Sequence, residues 1–206
     1  EGHNDGLMTL FAVLGLALAL RGHAASSIVA TAGGALTKYV PAMLLPAQLV
    51  YLWRTSSDRR ALLRRFDVGV VAAVGLAVAA FAPFWIGTAT FDALREQAGA
   101  GPWPTLPGAA YRLLERAGFA EAPVLGVGLT LAFGGAFLAY LLLSLRAIRD
   151  AESLLLACAR TAFVWVVIAG GAYHPWYLVL PIAVFALTPT PGVLVVVLVA
   201  SVTGMA

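Results

Sequence analysis

This chain consists of apolar runs broken only by short charged turns, and that pattern restricts its fold more than any motif does. Residues 68–86 and 122–145 contain no Asp, Glu, Lys or Arg. A hydrocarbon core of ~30 Å is crossed by about 20 such residues in a helix. Only 11% of the 206 residues are charged and 61% are hydrophobic, against roughly 25% charged in ordinary soluble domains. The expected fold is therefore all-α: a polytopic transmembrane helix bundle of about seven to eight spans, several of them short. The net charge of +3 and pI of 9.4 do not point to nucleic acid, because the cations lie in short turns between apolar runs, as membrane orientation requires. Cys158 has no second cysteine to pair with and reads as a small core residue.

The first run, 6–20, is short for a span and ends at Arg21-Gly22-His23. Residues 24–53 are too long for one helix, and Lys38 and Pro41 interrupt them. Proline removes a helical hydrogen bond and clashes with the preceding turn, so two short helices, 24–37 and 41–53, are expected. A basic loop follows with Arg54, Arg59, Arg60, Arg64 and Arg65 against Asp58 and Asp67. Residues 68–86 form the next span. The polar connection 87–121 holds an amphipathic helix at 107–118, with Leu106, Ala110, Leu113 and Leu114 toward the membrane and Arg112, Glu115 and Arg116 toward water. A connection this long suggests a role, although a simple surface loop fits equally. Further spans are expected at 122–145, 154–172, 178–187 and 192–206.

The positive-inside rule orients this path. With the basic loop inside, eight of the thirteen Lys and Arg residues fall in inside turns, and Lys38, Arg95, Arg112 and Arg116 fall outside. A single span over 24–53 would instead place Arg21 and His23 outside. The preferred path gathers His3, Asn4 and Asp5, Lys38 and Tyr39, the long loop, and His174 with Tyr177 on one membrane face. Each has a plain structural reading: helix cap for Asn4 or Asp5, snorkelling anchor for Lys38, interfacial aromatic belt around His174. Their functional reading is a polar site at a membrane surface, where ionisable groups are costly. Lys38 and the helix start at Asn4–Gly6 would meet a phosphate, while His174 and Tyr177 would contact phosphate or sugar. No metal-ligand spacing and no nucleotide-type glycine loop occur. No metal and no cofactor are expected.

The run Gly2-His3-Asn4-Asp5-Gly6-Leu7-Met8 precedes an apolar helix and an arginine turn. Leu36-Thr37-Lys38-Tyr39-Val40-Pro41 follows, and Pro175-Trp176-Tyr177 lies near the C-terminal helices. In order and spacing these segments resemble the integral-membrane glycosyltransferases of the GT-C superfamily, and within it the polyprenol-phosphate-mannose-dependent mannosyltransferases. The resemblance covers most of the chain through short motifs. It implies a hexosyltransferase of the bacterial plasma membrane with its site facing outward. That enzyme moves a sugar, mannose by this likeness, from a polyprenyl-phosphate donor to a lipid or glycan acceptor, with inversion. It also implies an acidic base in a first extracytoplasmic loop, which would lie upstream of Glu1. The 206 residues would then be the C-terminal part of one transmembrane domain, inactive alone, with Asp5 the remaining candidate for the base or, more naturally, a positioning group. Two other classes stay open: a transporter or flippase for a lipid or small solute, with charges at several depths, and a non-catalytic membrane subunit.

Overall fold

The computed structural model describes residues 3–92, 106–119, 123–169 and 175–188. Every regular element among them is helical. Helix α1 (His3–Leu20) turns at Gly22, whose φ of +76° suits glycine, into α2 (Ala24–Thr37). The break expected near Lys38 is present. A 3₁₀ turn, Val40–Leu44, carries Pro41 at its start and leads into α3 (Leu45–Thr55). Gly34 sits where α2 presses on α1: a Cβ there would lie 3.2 Å from the Met8 carbonyl oxygen and 3.3 Å from Pro41 Cγ.

Helix α4 (Arg59–Phe81) begins earlier than hydropathy suggests. Asp58 caps it by accepting from the Ala61 N–H at 3.0 Å, and arginine is a good helix former. Arg59, Arg60, Arg64 and Arg65 therefore ride on a helix rather than in a loop. In the long connection, α5 (Leu106–Leu114) ends in a wide turn at Glu115–Phe119 containing Gly118 at φ +87°. Residues 93–105 and 120–122 lie outside the described part, as does the expected last span, 192–206.

Helix α6 (Pro123–Ala147) runs back. Asp150 then caps α7 (Ala151–Val164) through a reciprocal box: its carboxylate accepts from the Ser153 N–H at 2.8 Å, and the Ser153 hydroxyl oxygen accepts from the Asp150 N–H at 2.9 Å. Such boxes fix helix starts. The helix continues as a wide turn, Trp165–Ala169. A 3₁₀ turn, Pro175–Leu178, precedes α8 (Val179–Phe185). With 7 residues, α8 rises only about 10 Å and crosses nothing alone.

Among the described residues three helical stretches, Arg59–Phe84, Leu125–Ala147 and Ala151–Ile168, are long and apolar enough to cross a membrane, and Asn4–Leu20 and Ala24–Thr37 are apolar but shorter. Met8, Leu16, Leu44, Leu154, Leu180 and Phe185 form the core between α1, α3, α7 and α8. Cys158 is fully buried among them. Along α4 and α6 large side chains such as Val71, Val78, Leu131 and Leu143 stand exposed. Apolar surface on that scale calls for a lipid or protein cover.

Candidate functional site

Helix α1 buries one stripe, Asp5, Met8, Ala12, Leu16 and Ala19, at the three-to-four-residue spacing of a helix face. Asp5 stands at the top of that stripe, so the fold buries a carboxylate together with the apolar side chains below it. It lies in the first turn of α1, where a negative charge suits the helix dipole. Asn4, beside it but off the buried stripe, is exposed.

Lys38 ends α2 in extended conformation, its N–H still bonded to the Gly34 carbonyl at 2.9 Å. From there its Nζ donates to Asp5 Oδ1 at 2.7 Å; the lysine side chain is 22% exposed and the carboxylate side chain 3%. The same ammonium lies 4.0 Å above the centroid of the Tyr177 ring, within the range of a cation–π contact. Three segments separated by 33 and 139 positions thus meet at one nitrogen. Tyr39, next to Lys38, packs its ring edge-on against Trp165, at the start of the wide turn that continues α7, at 5.7 Å. This ties the extended exit from α2 to the neighbouring helical segment.

The pair is incompletely satisfied. Asp5 Oδ2 is buried without a hydrogen-bond partner among the described residues, and so, one turn below it, is Thr9 Oγ1. Buried polar atoms are ordinarily bonded, so these two mark positions where a polar guest would find ready acceptors. Among the described residues no three His, Cys, Asp or Glu side chains gather closely enough to hold a metal ion.

Of the residues singled out from sequence, Asp5, Lys38 and Tyr177 come together and Tyr39 stands beside them. His3 begins α1, but its side chain, like that of Trp176, is outside the description; His174 and Glu1 lie outside the described residues altogether. The sequence reading missed a second polar cluster deeper in the bundle. Ser27 Oγ and Thr31 Oγ1 both donate toward Gln48 Oε1, at 3.0 and 2.9 Å, and Ser27 also reaches the Gly15 carbonyl at 2.9 Å. All three side chains are essentially fully buried. Such bonds tie membrane helices together, here α1, α2 and α3. The signal was available: Gln48 is an amide inside an otherwise apolar run.

No protein-family model, curated protein or solved structure matches this chain.

Proposed function

We propose that this chain is the membrane part of a glycosyltransferase that takes a sugar, mannose by the motif resemblance, from a polyprenyl phosphate to a lipid or glycan acceptor. The observation that carries the reading is the meeting of Asp5, Lys38 and Tyr177 at one nitrogen. Each belongs to one of the three sequence segments on which the resemblance rests. In such a transfer an acceptor hydroxyl gives its proton to a carboxylate base and attacks the anomeric carbon. The C1–O bond to the lipid phosphate breaks, and the phosphate leaves with the electron pair. Lys38 Nζ would neutralise the growing negative charge in a low-dielectric setting. Asp5 would hold that ammonium in place and offer its open oxygen to a sugar hydroxyl. Tyr177 would give the sugar a flat apolar wall.

In this reading the site faces outward from a bacterial plasma membrane, the bundle has about seven to eight spans, and α5 lies on the outer surface beside the site. The test uses the full-length protein in membrane vesicles with radiolabelled mannosyl polyprenyl phosphate. Lys38→Ala and Asp5→Ala should each lower transfer at least a hundredfold (~3 kcal/mol of transition-state stabilisation) while inserted protein stays constant. Wild-type rates in both variants would remove the proposal.

A transporter or flippase is the second reading. Arg160, exposed midway along α7, favours it, because a cation at membrane depth commonly lines a polar path. Lipid-linked sugar moving between leaflets without transfer, and stopped by Arg160→Leu, would decide for it.

A further inference from the structure

The basic end of the bundle, opposite Lys38, contains a recess of about 430 Å³ whose walls include Arg21, His23, Ser26 and Arg65. An apolar groove of about 730 Å³ lies next to it between α1, α2 and α4, walled by Leu14, Val29, Gly33, Ala72 and Leu76 among others. Ala25 and Ser26 belong to both walls. A polar recess and an apolar trough that share a wall match one molecule with a charged head and a hydrocarbon tail.

The charges specify the head. Arg21, Arg54, Arg59, Arg60, Arg64 and Arg65 crowd this end against Asp58 and Asp67, all of them exposed. Two of the cations have structural duties. Arg54 donates to the carbonyls of Arg146 and Ile148, and Arg59 lies over the Trp53 ring at 4.2 Å. The side chains of Arg21, His23 and Arg65 have no partner among the described residues. Three unpaired basic groups around a recess at the membrane end of an apolar trough complement a phosphodiester.

We propose that this end of the bundle binds an anionic phospholipid, its phosphate between Arg21, His23 and Arg65 and one acyl chain in the groove along α2. The site is separate from the Asp5–Lys38 pair and does not depend on the glycosyltransferase reading. Under the positive-inside rule the lipid comes from the cytoplasmic leaflet, whose anionic headgroups are drawn to such clusters. The small side chains Ala25, Gly33, Ala72 and Ala80 leave the room that a chain of methylenes fills.

The test is native mass spectrometry and lipid titration of the full-length protein in mild detergent, with phosphatidylglycerol against phosphatidylcholine. Wild type should retain one phosphatidylglycerol through detergent exchange and prefer it to phosphatidylcholine. Arg21→Gln and Arg65→Gln should each weaken retention about fivefold, and the pair about 30-fold, from the usual worth of one cation near a lipid surface. Arg60→Gln with Arg64→Gln, which removes the same charge outside the recess, should change it less than twofold. Ala72→Phe, which fills the groove and leaves the head pocket intact, should release the lipid while the thermal midpoint stays within a few degrees. Equal losses from the recess and control arginines would mean a diffuse surface charge and overturn the site. Inorganic phosphate competing as well as phosphatidylglycerol, or a bound lipid indifferent to Ala72→Phe, would overturn the lipid assignment.

Discussion

Replacing Lys38 by methionine removes the one group that bonds the Asp5 carboxylate among the described residues, because Oδ2 is already bare. Breaking a buried pair by deleting one partner costs roughly 3–5 kcal/mol. The lysine side chain is 22% exposed, so water relieves part of the loss, and about 2–4 kcal/mol is expected. Asp5→Asn is milder. It keeps a hydrogen-bond acceptor near Nζ, and the ammonium keeps the Tyr177 face and its path to water, so about 1–2 kcal/mol is expected. The double variant carries neither charge into the interior and should fall within about 1 kcal/mol of wild type. The coupling between the sites is therefore roughly 2–6 kcal/mol. Reversible unfolding of all four proteins in mixed micelles, followed by circular dichroism, measures it. Transfer assayed on the same preparations separates stability from chemistry: the double variant should be folded and inactive. Losses that add to within about 0.5 kcal/mol would show that the pair carries no mutual stabilisation. A stable, fully active double variant would show that the pair serves architecture alone.

Other substitutions test the surroundings. Gly15→Ala places a Cβ 2.2 Å from Thr31 Oγ1 and 3.2 Å from the Thr31 nitrogen, and should cost about 1–3 kcal/mol as overpacking, read as a lower thermal midpoint; an unchanged midpoint would mean that α1 and α2 do not approach so closely. Gln48→Leu removes the shared acceptor of Ser27 and Thr31 but also an amide nitrogen buried without a partner among the described residues. The net loss should be about 1 kcal/mol or less, and a larger one would assign that cluster more than helix adhesion. Hydrogen bonds from Ser153, backbone first and then side chain, hold the Asp150 carboxyl below its ordinary value of 3.8. A depressed value means that its stabilisation is complete above the ordinary carboxylate range and fades as pH falls through the folded value. Asp150→Ala should thus lower the unfolding midpoint at pH 7, and the gap to wild type should close toward pH 3; a gap independent of pH would exclude the charge as its source.

Much of the helix layout is legible in the sequence because its punctuation is covalent or charged. Pro41 ends the segment at Lys38, and Asp150 with Ser153 starts α7. Hydropathy fails at the start of α4, since it records where lipid begins and not where backbone hydrogen bonds begin. It fails again at 178–187, where the helical part is only Val179–Phe185 and the rest is turn. The polar residues around Asp5 and Lys38 could be named, but not their pairing. Only tertiary approach, allowed by Gly34, lets Lys38 reach a carboxylate 33 positions away. The Ser27–Thr31–Gln48 cluster is half legible: Gln48 stands out as an amide in an apolar run, but its pairing with Ser27 and Thr31, 21 and 17 positions away, again needs tertiary approach.

The close contact of Gly69 with Ala25 fixes the level of α4 against α2, and Leu36 and Ala80 share a groove wall the same 11 positions further along. The two helices therefore climb in step, and α2 has 14 residues, which rise about 21 Å. Full hydrocarbon is ~30 Å deep, and one way a bilayer accommodates a shorter helix is to thin beside it. Such thinning would draw the headgroups of the leaflet at that end toward the lysine, so that a lipid-borne phosphate could reach it without leaving its own monolayer.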